Sequence, residues 1–213
     1  MGRTVKVLIA ITCCHHRYAK ADLLRELWTR NVEGADVRFF YGRGGYLKPL
    51  DDEVYLDCRD DYDGLTNKSK AIYSWALEHG YDYVFDVDDD TYVRPALLLA
   101  SGFEKYDYIG RLSTLGVIYA SGGPGIWLSK KALEILAVAP ENDTVDDRWI
   151  GNTLIQHGIR LQHDLRYCVS RNWLKYEKTF ISVCSEQYAE VDLRLVHDAN
   201  RSPSINPFTD FNW

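Results

Sequence analysis

The sequence predicts an α/β domain built on a mostly parallel central sheet, and three observations lead there. Short β-branched apolar runs alternate with stretches of helical periodicity through the first half of the chain, and turn-forming residues fall between them. The composition, 46% apolar and 26% charged residues among 213, is that of a chain able to bury a core. One domain is expected over residues 1–213, with a first half reaching about residue 95 and a second beginning at about 96.

Residues 4–12, TVKVLIAIT, read as a buried strand, and ADLLRELWTR follows with Ala21, Leu24, Leu27 and Trp28 at helical spacing. A second strand is expected at 36–41, ended by the turn-like GRGG, and a short third at 53–57. Leu65, Ile72, Trp75 and Ala76 share one face of a helix that stops at Gly80. The next strand, YDYVFDV, ends in an acidic cluster. Farther on, YASGGPGIWLS reads as strand, tight loop and strand. A helix from about Ser129 to Ala139 is closed by Pro140, and another runs from near Asp146 to Gly158. After Gln162 the pattern weakens, with candidate strands around 160–166 and 178–184 and a tail rich in Asn, Pro and Ser.

A formal charge of −6 and the lack of a basic stripe exclude non-specific nucleic-acid binding. No run approaches the ~20 apolar residues of a membrane span, and no secretory cleavage pattern follows the first strand. The five cysteines, Cys13, Cys14, Cys58, Cys168 and Cys184, are odd in number and lack zinc spacing, so reduced thiols in a cytoplasmic setting are expected.

FDVDDDTYVR, residues 85–94, concentrates the chemistry. Asp86, Asp88, Asp89 and Asp90 follow a buried run, where mutual repulsion is costly unless a cation or water offsets it. In a parallel sheet, ligands gather beyond the carboxyl ends of the strands, which is where this cluster lies. If the segment is extended, Asp88 and Asp90 point together and Asp89 points away. Oxygen-only ligation favours magnesium, manganese or calcium. A helix-loop-helix calcium site fails, because Thr91 and Leu97 stand where glycine and glutamate are needed. An aspartyl-nucleophile phosphatase, with Asp86 as nucleophile and Asp88 as acid, is out of register, since the threonine place holds Asp90 or Tyr92. A solvated acidic turn beside Arg94 or Lys105 is the plain alternative. The remaining pattern is D-x-D, a carboxylate pair holding a divalent ion against the diphosphate of a nucleotide sugar.

Other segments decide between these. Leu24-Arg25-Glu26-Leu27-Trp28, Phe40-Tyr41-Gly42-Arg43 and Asp60-Asp61-Tyr62-Asp63-Gly64-Leu65-Thr66-Asn67-Lys68 lie ahead of Asp88-Asp89-Asp90-Thr91-Tyr92-Val93. Tyr119 to Ser129 and Asp146-Asp147-Arg148-Trp149-Ile150-Gly151 lie after it. This collinear set, over about residues 5–160, resembles the Fringe and beta-1,3-galactosyltransferase family of GT-A enzymes. A compact chain of this kind also resembles glycosyltransferase domains of chloroviruses, which implies a host-cytoplasmic setting and leaves open a place in a longer multidomain chain.

The resemblance implies a GT-A, Rossmann-like fold with a nucleotide-binding first half and an acceptor-side second half. It implies a UDP-sugar donor, a manganese or magnesium ion, a glycan or glycoprotein acceptor, and transfer with inversion. A metal-dependent carbohydrate-binding module without turnover is the rival from another class. Asp88 and Asp90 are the expected metal ligands, with Asp89 toward the sugar or ribose and Asp86 behind them. His197 is the expected third ligand and His163 the fallback, because residues 166–170 carry no histidine. Thr12, Cys13 and Cys14 are expected to meet the nucleotide. Arg17 and Lys68 would balance the diphosphate or organise the pocket, and Asp61 would meet uracil or hold Lys68. His15 and His16 read as loop residues. Gly122 and Gly123 would let backbone approach the sugar, with Trp127 as an acceptor-side wall. Asp147, or else Asp146, is the expected catalytic base.

Overall fold

The computed structural model describes residues 4–44, 49–113, 118–169, 174–176, 178–185 and 192–201. The tail at 202–213 therefore lies outside the described residues. The chain runs β1 (Val7–Thr12), α1 (Tyr18–Leu24), β2 (Asp36–Tyr41), β3 (Glu53–Tyr55), α2 (Leu65–Glu78), β4 (Tyr83–Asp88), β5 (Thr91–Val93) and α3 (Pro95–Leu99). It continues through β6 (Tyr108–Leu112), β7 (Ala120–Ser121), β8 (Ile126–Ser129), α4 (Lys130–Val138) and α5 (Asp146–Gln156). The last described elements are β9 (Gln162–His163), β10 (Tyr167–Val169), β11 (Ser182–Cys184) and α6 (Leu193–Arg201).

The eight-stranded sheet has the order β3-β2-β1-β4-β8-β6-β7, with β9 beside β6. The neighbours β3, β2, β1 and β4 are parallel. Two antiparallel steps through β8 bring β6, and with it β9, back to the same direction, so the α/β fold with a mostly parallel sheet is as predicted. A second sheet, β10-β11-β5, lies apart from the first.

Alternation along the strands feeds two cores. Val7, Ile9 and Ile11 of β1 and Phe85 and Val87 of β4 pack with Leu24, Leu27 and Trp28, with the small sheet, and with Leu193 and Val196 of α6. Leu8 and Ala10 of β1 and Val84 of β4 face Ile72 and Tyr73 of α2, Leu133 and Leu136 of α4, and Trp149 and Leu154 of α5. The central sheet thus has helices on both faces.

The helix ends follow the expected chemistry. Ser129 caps α4 by accepting from the Ala132 amide, and Gly80 and Gly158 leave α2 and α5 with φ of 74° and 79°. The sequence reading runs α1 from residue 21, but the helix starts at Tyr18 and continues as a π turn over Arg25–Thr29. It assigns no element to β5, α3, β10 or α6. These are short, and they hold their places through tertiary packing rather than through a long periodic pattern.

Gly125 shows how tightly the strand-loop-strand segment is fitted. Its φ is 101°, and a Cβ there would lie 2.1 Å from Phe85 Cζ, inside the ring's van der Waals surface. Strain and overpacking together predict that Gly125→Ala costs at least ~2 kcal/mol, read as a lower urea midpoint with an unchanged m-value.

Candidate active site

The main sheet ends its fourth strand at Asp88, and the chain turns at once through Asp89 and Asp90 into β5. On β4, Asp86 and Asp88 share the parity of Val84, which faces α2, α4 and α5. Asp86 is buried and accepts from the Tyr73 hydroxyl at 2.6 Å and the Thr12 hydroxyl at 3.1 Å. Burial still pushes its carboxyl up to about 6. Asp88 has no ion-pair or hydrogen-bond partner among the described residues. Burial, then Asp90, Asp146, Asp89 and Asp86 in turn, raise its carboxyl well above the usual range.

Asp89 and Asp90 do not diverge as an extended segment would require. Both meet Arg17, whose guanidinium is 2.7 Å from Asp89 Oδ1 and 2.5 Å from Asp90 Oδ2. Lys20 adds a second cation 3.1 Å from Asp90 Oδ2. The tight turn is the reason, since strand alternation stops at Asp88. Burial outweighs Arg17 at Asp89 and pushes its carboxyl up to about 6. A cleft lined by Lys20, Asp89, Asp90 and Asp192, with Leu23, Ser185 and Leu193, opens beside the turn.

The carboxyl end of β1 lies alongside. Cys13 is buried, Cys14 is partly exposed, and the Cys13 carbonyl accepts from Lys68 Nζ at 2.7 Å. Lys68 is only 1% exposed, and its ammonium also meets Asp60 Oδ1 at 2.5 Å. Lys68 therefore organises the pocket wall and has no free ammonium to extend to a diphosphate. Its partner is Asp60 and not Asp61. Asp61 lies outside, accepting from Arg59 at 2.7 Å and from the Gly64 amide at 3.0 Å. Asp60 also accepts from the amides of His15 and Gly42, each at 2.7 Å. Burial alone would raise its carboxyl, but Lys68 and these amides pull it below the ordinary value.

His15 is more than a loop residue. Its ring stacks on Tyr41 at 5.2 Å and lies 5.6 Å from Tyr55, which makes an aromatic wall at the ends of β1, β2 and β3. Sequence reasoning missed Asp60, Tyr41, Tyr73, Ser69 and Lys20. For Asp60 a signal existed: two adjacent aspartates stand eight and seven residues before Lys68, and only packing selects between them.

The second half supplies a loop and a helix start. Gly122 donates its amide to Asp147 Oδ2 at 3.2 Å, and a Cβ on Gly123 would lie 3.5 Å from Asp88 Oδ2 and 3.1 Å from Cys184 Sγ. The Thr91 hydroxyl donates to the Gly123 carbonyl at 2.8 Å, and Ser182 donates to the Pro124 carbonyl, so the loop is tied to the small sheet. Asp147 Oδ1 is buried and has no hydrogen-bond partner among the described residues, and burial followed by Asp146 pushes this carboxyl up to about 6. Asp146 is already committed: it accepts from Ser69 Oγ at 2.9 Å and from the Asp147 amide at 2.9 Å. Trp127 is no acceptor wall. It is 1% exposed and stacks on Phe103 at 3.9 Å inside the core, because its strand parity points it away from the loop.

The histidine expectations are not met. His197 lies on α6 with its ring edge-on to Tyr92 at 5.7 Å, since α6 packs on the Tyr92 face of β5. His163 accepts from the Leu112 amide at the edge of the main sheet. Among the described residues, no group of three or more His, Cys, Asp or Glu side chains gathers as a metal cage would. What the turn does offer is Asp88, a carboxyl with no hydrogen-bond or ion-pair partner among the described residues, and Asp90 two residues on. A pair of carboxyl groups offering oxygen donors only fits a hard divalent ion completed by oxygens from outside the protein.

No family model matches the chain, and no curated protein matches it. Solved structures do. One is a glycosyltransferase involved in the glycosylation of the major capsid of PBCV-1. It has a TM-score of 0.55 and 15% identity, and the match covers 92% of this chain and 98% of that one. Another is the apo-form glycosyltransferase GlyE of Streptococcus pneumoniae TIGR4. It has a TM-score of 0.54 and 12% identity, and the match covers 95% of this chain and 64% of that one. These likenesses show a shared fold. Among the described residues, no helix is long and apolar enough to cross a membrane.

The Lys68–Asp60 pair is predicted to hold the pocket wall together. Lys68→Met removes one partner of a buried pair and is expected to cost ~3–5 kcal/mol in urea unfolding.

Proposed function

We propose that the chain is an inverting glycosyltransferase that uses a UDP-sugar and a manganese or magnesium ion. The observation that carries this reading is the pair of consecutive glycines, one against each of two carboxylates. Gly123 lies beside Asp88, which has no ion-pair partner among the described residues, and Gly122 donates to Asp147, whose buried Oδ1 has no hydrogen-bond partner among them. The shared fold with solved glycosyltransferases supports the same reading.

Asp88 and Asp90 would hold the ion, which when bound offsets the charge that grows on the departing diphosphate. The partly exposed rings of His15 and Tyr55, backed by the buried Tyr41, would take the nucleoside together with the end of β1. Asp147 Oδ1 would accept the proton of the acceptor hydroxyl as that oxygen attacks the anomeric carbon. The bond to the diphosphate breaks on the opposite side, so the configuration inverts. Asp146 orients Asp147 by accepting from its amide. The acceptor would be a glycan or glycoprotein hydroxyl, and the setting cytoplasmic, that of a host cell if the chain is viral.

A phosphatase with Asp86 as nucleophile is disfavoured, because Asp86 is 7% exposed and both its oxygens already accept hydrogen bonds.

Calorimetric titration with UDP is expected to show binding in the presence of manganese and at least ten-fold weaker binding by Asp88→Asn. No binding by the unaltered protein at any manganese concentration rejects the proposal. Asp147→Asn is expected to keep UDP affinity and lose roughly 10²–10⁴-fold in transfer rate, which separates an enzyme from a sugar-binding module. A base is active when deprotonated, so kcat/KM should rise with pH through the Asp147 carboxyl value of about 6 and then level off.

A further inference from the structure

Two cations compete for one oxygen at the acidic turn. Arg17 Nη2 and Lys20 Nζ lie 2.5 Å and 3.1 Å from the same Asp90 Oδ2, while Asp88 two residues earlier meets no cation among the described residues. Both cations come from one helical turn at the start of α1, three residues apart, and both sit at the end of long side chains about 40% exposed. Asp89 and Asp90 are held from the other side by the strand end and are far less free, at 3% and 20% exposed.

A divalent ion shared by Asp88 and Asp90 would bring a third positive charge to the Asp90 carboxylate already held by Arg17 and Lys20, and these positive groups repel one another. Resting on the reading above, we propose that Arg17 and Lys20 are exchangeable counterions. They neutralise Asp90 before the ion arrives, yield it when the ion binds, and then turn to the diphosphate in the adjoining cleft. Lys20 lines that cleft together with Asp89, Asp90 and Asp192, so its head can reach a diphosphate there without movement of the helix backbone.

The exchange makes the two cations positioning residues with opposite effects on the two ligands. Without nucleotide they oppose the ion, and with nucleotide they favour the diphosphate. A residue that merely braces the turn has no such split.

The test measures manganese affinity by the spin resonance signal of free Mn²⁺, first without nucleotide and then with UDP. It uses the unaltered protein, Lys20→Gln and the Arg17→Gln/Lys20→Gln double variant. The expected result is that the double variant binds Mn²⁺ alone roughly ten-fold more tightly and manganese-loaded UDP roughly ten-fold more weakly, with Lys20→Gln between. Equal or weaker Mn²⁺ affinity in the double variant overturns the exchange and leaves the nucleotide-sugar reading standing. UDP binding that is unaffected by chelator but lost in the double variant also overturns it, since Arg17 and Lys20 would then be the permanent partners of the diphosphate. Failure of every protein to bind either Mn²⁺ or UDP overturns both proposals.

Discussion

Repulsion among carboxylates is the constraint around which this molecule is arranged. Asp86, Asp88, Asp89, Asp90 and Asp146 all act on Asp88 or are Asp88 itself, at the end of a buried strand. Two like charges 4 Å apart at an effective dielectric constant near 20 cost about 4 kcal/mol, so a fold that gathers five must distribute them carefully. It does so by giving different members different partners. Asp86 receives two hydroxyls, Asp146 a hydroxyl and an amide, and Asp89 and Asp90 an arginine. Among the described residues, Asp88 alone of the five meets neither a hydroxyl, an amide nor a cation within bonding distance.

The surrounding structure serves that distribution. Tyr73 and Ser69 lie one turn apart on α2, and each donates to a different carboxylate: Tyr73 to Asp86 on β4 and Ser69 to Asp146 on α5. One helix thereby sets the spacing between the strand end and the helix start. The Lys68 ammonium on the same helix goes to the β1 end and Asp60, so three consecutive roles on α2 tie three parts of the pocket. The glycine loop closes the arrangement from above, held by Thr91 and Ser182 of the small sheet.

Much of this was legible in the sequence, for stated reasons. The strands at 36–41 and 83–88 and the helices at 65–78, 130–138 and 146–156 carry long apolar periodicity, and the acidic run falls at a strand end as parallel topology requires. The side-chain directions at Asp89 and Asp90 were not legible, because alternation is a property of extended chain and the turn cancels it. The partner of Lys68 was not legible either, since Asp60 and Asp61 are equivalent in pattern and differ only in which one the turn into α2 buries. Trp127 misled for a related reason. A tryptophan beside a glycine loop suggests a sugar platform, whereas strand parity sends it under the sheet against Phe103. His197 lies in a stretch of weak pattern, and only the docking of α6 on Tyr92 shows where its ring goes.

The turn at Asp89 and Asp90 has one more property. β4 is hydrogen-bonded into the large sheet, while β5, one step later, belongs to the small sheet with β10 and β11. Asp88 therefore ends a strand of one sheet, and Asp90 stands immediately before a strand of the other. The two sheets share one core, with Tyr92, Val93, Tyr167 and Val183 packed against Ile9, Ile11, Phe85 and Val87. The pair therefore spans two hydrogen-bonded networks, and its separation is set by how the shared core packs the two sheets together.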